Sequence, residues 1–196
     1  SIQTHIDVMK TTNLEESTPL TLFGELLIEM GKFSKAEAYH RDLIENLPGD
    51  HNDLPFLYHG LGYNYYKQKR YKEALEFGYR GHRILIDQRS FKAVHIAQSL
   101  LNLGWDHKKD GNPQKAIQLF REALEITSIA YDGKDHICIA LTLSAIGDTY
   151  TDLGDYEKAA ANLSQGIEMF QRVLPTEHVE ICKGWIRIGH LYEKQG

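Results

Sequence analysis

The sequence is short of cysteine, of long apolar runs and of positive charge, and each shortage excludes a class of protein. Two cysteines without framework spacing indicate a reducing, intracellular compartment, and we expect a cytoplasmic protein. No apolar run approaches the roughly 18 residues of a membrane span, and the N-terminus lacks a signal-peptide pattern. A formal charge of −5 argues against nonspecific nucleic-acid binding, so we expect neither a nucleic-acid nor a membrane partner.

The residue patterns of the common active sites are also missing. The sequence contains no glycine-rich phosphate loop, no G-x-S-x-G nucleophile motif and no H-x-x-x-H metal-ligand pair. The one basic stretch, residues 61–92, has eight Lys or Arg and three Asp or Glu spread around a predicted helix, which is typical of a solvated face. We therefore predict that the chain is not an enzyme and holds no cofactor or metal.

The sequence does contain an internal repeat, which is marked by glycines. The repeat glycines are Gly24, Gly62, Gly104, Gly147 and Gly189, at spacings of 38, 42, 43 and 42 residues. Large apolar residues stand one and four positions before every repeat glycine, which is the spacing of one helix face. Twelve positions after the first four repeat glycines there is always an alanine, namely Ala36, Ala74, Ala116 and Ala159. A constant small residue in a second amphipathic run predicts that two helices cross closely there.

The segment between the two runs has the composition of a turn. Seven positions after the repeat glycines stand Gly31, Lys69, Gly111, Gly154 and Gly196, and glycine is the residue that best ends a helix in the left-handed conformation. Ser34 with Glu37 predicts a capping box for one second helix, and Pro113 suits the first turn of another. Each repeat is therefore predicted to be an antiparallel helix pair, whose short connections make neighbouring pairs stack.

Two of these segments carry a family resemblance. "GDYEKAAANLSQGI" (154–167) and "KRYKEALEFGYRGH" (69–82) resemble the tetratricopeptide repeat, and the 42-residue period is similar to the kinesin-light-chain type. The resemblance implies an all-α fold, a right-handed α-solenoid superhelix of stacked antiparallel helix pairs. Residues 17–196 would form four full repeats and the first helix of a fifth, and residues 1–16 a linker or helix fragment. Because the chain starts at Ser1 and ends in "EKQG", we expect it to be part of a longer protein.

A histidine next to an acid recurs eleven positions before three repeat glycines. These histidines are His51, His136 and His178, and the segment "GKDHICIA" adds Cys138 beside His136. One interpretation is a metal or thiol site. The interpretation we favour is a joint at the start of each first helix, where the preceding acid helps to satisfy free N–H groups. The three histidines belong to different repeats, so they are too far apart to bind one metal ion.

The family resemblance implies a binding surface on the concave side, formed by the first helix of every pair. The predicted binding residues are Phe56, His59, Tyr63, Tyr66 and Lys67 in the second repeat, Gln98, Leu101, Asn102, Trp105, Lys108 and Lys109 in the third, and Asp148 and Asp152 in the fourth. Large aromatic side chains on a rigid support, with cations nearby, are typical of binding hot spots. We predict a protein-interaction module that binds a peptide or partner helix.

The chemistry of these positions suggests a partner with apolar or aromatic residues, seated on Tyr63, Tyr66 and Trp105, and acidic groups that meet the lysines. Asn102 matches the asparagine with which similar repeats bind a ligand's backbone, but the other repeats lack it. The positions of a carboxylate clamp are mostly unmatched, which disfavours recognition of a free C-terminus.

Other functions are open at this point. The aromatic side chains could pack on each other or on a neighbouring domain. The array would then be a structural or regulatory appendage, docked on another domain of a larger protein or self-associating through its exposed terminal helix. An enzyme that uses the His and Cys positions is the least favoured.

Overall fold

The computed structural model describes residues 18–88 and 91–196, in which all regular secondary structure is helical. The nine helices of these residues are α1 (Pro19–Glu29), α2 (Phe33–Asn46), α3 (Leu54–Lys67), α4 (Tyr71–Asp87), α5 (Ala93–Lys109), α6 (Pro113–Ala130), α7 (Ile137–Leu153), α8 (Tyr156–Val173) and α9 (Val179–Gln195). The predicted linker or helix fragment, residues 1–16, lies outside the described residues.

Consecutive helices pack as antiparallel pairs joined by short turns: α1 with α2, α3 with α4, α5 with α6, and α7 with α8. Each repeat glycine lies in the first helix of its pair, or in α9. The predicted all-α helical repeat is therefore confirmed.

The chain divides into two compact units. The first unit runs to Phe91 and contains α1–α4; the second, Lys92–Gly196, contains α5–α9. In the first unit the core includes Leu61, Tyr65, Ala74 and Phe77. In the second unit one cluster is built around Phe120 and Leu163, and another around Phe170 and Leu143.

The alanines twelve positions after the repeat glycines lie where two helix backbones touch. All four are fully buried. A Cβ atom added to Gly62 would lie 3.1 Å from the carbonyl oxygen of Ala74, and one added to Gly147 would lie 3.0 Å from that of Ala159. The predicted close crossing is thus confirmed. Because the second helix covers the glycine face of the first, residues one and five positions later lie off that contact and can form a surface.

The turns follow the predicted backbone, with one departure. Gly31, Gly111 and Gly154 have φ angles of 70°, 86° and 76°, in the left-handed region that glycine tolerates best. Lys69 occupies the equivalent position of the second repeat with φ of 62°, so a residue with a side chain accepts the strained conformation there.

The two predicted helix starts have different outcomes. Pro113 is the first residue of α6, as expected. The capping box is wrong: α2 begins after Lys32 without any side-chain cap. The Glu37 carboxylate is engaged elsewhere, since it accepts hydrogen bonds from the Tyr65 hydroxyl at 2.6 Å and from Arg41 Nε at 3.0 Å.

The recurring histidines themselves satisfy the helix starts. The Nδ1 atoms of His51, His136 and His178 accept hydrogen bonds from backbone N–H groups two residues later, at 3.1, 3.2 and 3.2 Å. The preceding acid was expected to do this, but Asp135 instead forms an ion pair with Arg172. Because the accepting Nδ1 must be unprotonated, these geometries give the histidines a structural role at the joints between helix pairs.

Candidate functional site

The residues one and five positions after the first four repeat glycines differ in chemistry along the chain: the first and fourth sets are acidic, and the second and third combine an aromatic residue with a lysine. Four residues apart on a helix, the two members of each set share one face. The sets are Glu25 with Glu29, Tyr63 with Lys67, Trp105 with Lys109, and Asp148 with Asp152. We call Glu25, Glu29, Tyr63, Tyr66 and Lys67 of the first unit the first wall. We call Trp105, Lys108, Lys109, Asp148 and Asp152 of the second unit the second wall.

The first wall is organised around the carboxylate of Glu29. Its Oε1 atom accepts a hydrogen bond from the Tyr63 hydroxyl at 2.8 Å and lies 3.2 Å from the Nζ atom of Lys67. The Tyr63 and Tyr66 rings stack with centroids 6.4 Å apart, and Lys67 Nζ lies 5.5 Å from the Tyr63 ring. The charge of Lys67 is therefore already paired within the first unit.

Glu25, the other carboxylate of the first wall, has no such match. Its Oε2 atom is buried, and no hydrogen-bond partner for it lies among the described residues. Burial, and then the nearby charge of Glu29, raises the pKa of Glu25 to about 7. Partial burial and then the hydrogen bond to Glu29 raise the pKa of Tyr63, with a smaller contribution from Glu25. The first wall thus has more carboxylate than cation.

The second wall is organised around a buried cation. The side chain of Lys108 is only 6% exposed, and its Nζ atom lies 2.7 Å from Oδ2 of Asp148 and 3.0 Å from Oδ2 of Asp152. The same Nζ lies 5.2 Å from the Trp105 ring, which packs edge-on against Phe120 at 5.4 Å. Lys108 was expected to meet acidic groups of a partner, but two carboxylates of its own unit already bind it.

The remaining predicted residues lie in different environments. Leu101 is 8% exposed and belongs to a hydrophobic cluster, so it faces the core rather than a binding surface. The Nε2 atom of His59 is buried against α4, next to Gly81, which places this side chain inside the helix pair as well.

Four more of the predicted residues retain some exposure. Phe56 packs edge-on against Phe91 at 5.9 Å. Gln98 donates a hydrogen bond from Nε2 to Oδ1 of the exposed Asn102 at 3.1 Å, so part of the Asn102 amide is already used. Lys109 is exposed, and within the part of the chain that the structure describes it forms no ion pair.

Sequence reasoning missed Glu25 and Glu29. The signal for them is in the sequence, because they occupy the same two positions after Gly24 as Tyr63 and Lys67 occupy after Gly62. The burial of Lys108 had no comparable signal, since it depends on side-chain packing against the helix of the next repeat.

Two kinds of feature are absent from residues 18–88 and 91–196. In these ranges no three His, Cys, Asp or Glu side chains converge in a way that would hold a metal ion. None of the helices there is both long and apolar enough to cross a membrane.

The sequence matches a family model described as tetratricopeptide repeat, over residues 53–128 and 95–172. These two matches together cover more than half of the chain. The chain belongs to the tetratricopeptide repeat family. No curated protein matches its sequence.

Several solved structures share the tetratricopeptide fold at low identity. BtubC (BKLC) from P. vanneervenii has a TM-score of 0.78 and 20% identity, covering 100% of this chain and 78% of that one. A Podosopora anserina protein described as kinesin light chain with nearly identical TPR-like repeats has a TM-score of 0.71 and 16% identity, over 90% of this chain and 85% of that one. The apo form of RapI has a TM-score of 0.72 and 20% identity, over 90% of this chain and 62% of that one. At these identities the likeness concerns the fold alone.

Proposed function

We propose that this tetratricopeptide array is a cytoplasmic protein-interaction module without catalytic activity, which binds a peptide or partner helix through the exposed aromatic residues of its first helices. The observation that carries the proposal is the aromatic side chains on the first helices. Tyr63 is 39% exposed although its hydroxyl and ring are held by Glu29 and Tyr66, so it presents a rigid apolar face to solvent. Rigid exposed aromatics are common anchors of protein interfaces.

Membership of the repeat family supports the same function. Stacked helical repeats expose extended surfaces that need no catalytic residues, and interaction with other proteins is their usual use.

The paired lysines change the partner that we expect. Because Lys67 and Lys108 are neutralised by carboxylates of their own units, only Lys109 supports an acidic partner. The principal anchor is therefore an apolar or aromatic side chain.

A capture experiment with the full chain tests this function. Wild-type protein and the variants Tyr63→Ala and Trp105→Ala are used to capture partners from a lysate, with identification by mass spectrometry. Tyr79→Ala is the matched control, because Tyr79 is also 39% exposed but lies on α4 rather than on a wall. We expect partners that both wall variants lose and that the control retains. Identical partners for all four proteins would contradict the proposal.

Self-association or docking on another domain is the second candidate function, and α9 is the surface that favours it. Trp185, Ile186 and Tyr192 are all more than half exposed on this helix. A Cβ atom added to Gly189 would meet no described atom within 4 Å, whereas Gly62, Gly104 and Gly147 are covered by the next helix. Light scattering over a range of protein concentrations tests self-association. A mass that rises in wild type, but not in Ile186→Ser, would favour self-association, and a constant monomer mass would exclude it.

A further inference from the structure

The first wall has an exposed aromatic face bordered by Glu25, a carboxylate for which the described residues supply no cation. Glu25 and Glu29 stand one turn apart on α1, and Lys67 is the one cation that the first wall contains. Lys67 pairs with Glu29, whereas the Oε2 atom of Glu25 lacks any partner among the described residues. A ligand that supplied a positive charge beside Glu25 would complete the pairing.

We propose that the first wall binds an arginine side chain of the partner, with its guanidinium hydrogen-bonded to the Glu25 carboxylate and packed on the ring of Tyr63. This inference rests on the proposed function and names the chemistry of one anchor. It replaces the acidic anchor that the sequence suggested for this part of the molecule.

Charge complementarity excludes an acidic side chain of the partner at this position. An aspartate or glutamate of a partner would approach two carboxylates, and Lys67, the lysine of the first wall, is already paired with Glu29. The second wall offers a contrast, because both of its carboxylates bind Lys108. Among the carboxylates of the two walls, Glu25 alone is placed to gain a counter-ion from outside.

The geometry favours arginine over lysine. A guanidinium is planar, stacks on aromatic rings and donates two parallel hydrogen bonds to a carboxylate, whereas an ammonium is a compact, strongly hydrated charge. The stacked rings of Tyr63 and Tyr66 provide the flat surface, and the hydrogen bond to Glu29 fixes the Tyr63 ring. A cation over a tyrosine face gains further attraction from the ring electrons.

Binding of an arginine at Glu25 changes the protonation of this carboxyl group. With a pKa of about 7, Glu25 is about half protonated at pH 7 in the free protein. A bound guanidinium favours the charged carboxylate and lowers this pKa, so binding at pH 7 releases up to about half a proton. A ligand that binds elsewhere on the first wall would leave the protonation of Glu25 unchanged.

The test begins with a random dodecapeptide phage library, panned against the full chain. We expect enriched peptides to contain arginine next to an apolar or aromatic residue. Synthetic copies should bind Glu25→Gln at least about tenfold more weakly than wild type, as loss of a charge-assisted hydrogen bond predicts. The matched control is Glu45→Gln, which removes the same charge from an exposed position on α2 and should bind as wild type does.

Calorimetry in phosphate and in Tris then measures the released protons. The binding enthalpy should depend on the buffer for wild type and for Glu45→Gln, but not for Glu25→Gln. Enriched peptides rich in acid, or arginine peptides that bind Glu25→Gln as tightly as wild type, would overturn the arginine site. If Tyr63→Ala still abolishes their binding, the proposed function survives that result. A library without any enriched peptide would contradict both.

Discussion

The first and second walls both combine aromatic rings and lysine with two carboxylates, but they place the charges differently. In the second wall two aspartates bind one lysine that is almost fully buried. In the first wall the more exposed Lys67 pairs with Glu29, whose Oε1 atom also accepts the hydrogen bond of the Tyr63 hydroxyl. One carboxylate, Glu25, is therefore left over in the first unit.

The difference separates a structural arrangement from a binding arrangement. A buried cation must be paired because removal from water is costly, so the Lys108 cluster holds helices α5 and α7 together. The unmatched carboxylate of Glu25 is tolerated because burial raises its pKa, and a cation supplied by a ligand would favour its charged form. The second unit also has a carboxyl with a pKa raised by burial to about 7, Asp106, but that side chain is only 8% exposed.

The largest expected effect comes from breaking the second wall. Lys108→Ala leaves Asp148 and Asp152 close together without a cation. We expect the free energy of unfolding to fall by about 2–3 kcal/mol, less than for a fully buried pair because both aspartates are partly exposed. The adjacent Lys109→Ala is the control. Removal of that exposed side chain should change the free energy of unfolding by less than about 0.5 kcal/mol. Urea denaturation measures the free energy of unfolding of both variants. Equal losses of stability would show that the buried Lys108 pair is not a structural element of the second wall.

A pH titration should show the unmatched carboxylate of the first wall. Because the folded-state pKa of Glu25 is raised from 4.5 to about 7, its contribution to stability is fully present below pH 4.5 and is lost as the pH rises to 7. Glu25→Gln should therefore gain about 1–2 kcal/mol relative to wild type between pH 4.5 and 8, discounted for partial exposure.

The comparison with wild type is needed because the first unit also contains histidines with the opposite behaviour. Burial lowers the pKa values of His40 and His59 from 6.5 to about 4, so stability from these side chains is lost as the pH falls from 6.5 to 4. Both proteins share this dependence, so it cancels in the difference. A difference that does not vary with pH would show that Glu25 is not buried as described.

The spacing of the repeat glycines and alanines made the fold predictable. It predicted only some of the residues of the two walls. The glycine and alanine positions determine how two helices cross, and that depends on local sequence alone. Whether a lysine on the free face reaches solvent depends on which residues the neighbouring repeat presents. Lys67 and Lys108 have the same predicted role but different partners and different burial. The histidine caps were placed correctly but attributed to the preceding acid, because imidazole Nδ1 competes for the same N–H groups.

A smaller loss of stability is expected when the hydroxyl group of Tyr63 is removed from the first wall. Tyr63→Phe removes the hydrogen bond to Glu29 but keeps the ring stacked on Tyr66. Loss of one partly exposed hydrogen bond should cost about 1 kcal/mol in urea denaturation. Tyr79→Phe on α4 is a control for a tyrosine outside the walls. If Tyr63→Phe cost as much as Lys108→Ala, the first wall would be as structural as the second.

The smallest effect concerns the turns of the two units. Lys69 in the first unit has φ of 62°, whereas Gly111, at the same repeat position in the second, has φ of 86°. A left-handed residue with a side chain is strained, so Lys69→Gly should stabilise the protein by about 0.5–1 kcal/mol after the greater freedom of glycine in the unfolded chain is subtracted. The reciprocal Gly111→Lys should destabilise it by a similar amount, since a Cβ there meets no described atom within 4 Å and only the backbone conformation is penalised. If urea denaturation showed both changes to be neutral, the left-handed conformation at these turns would cost nothing, and the lysine in the first unit would need no explanation.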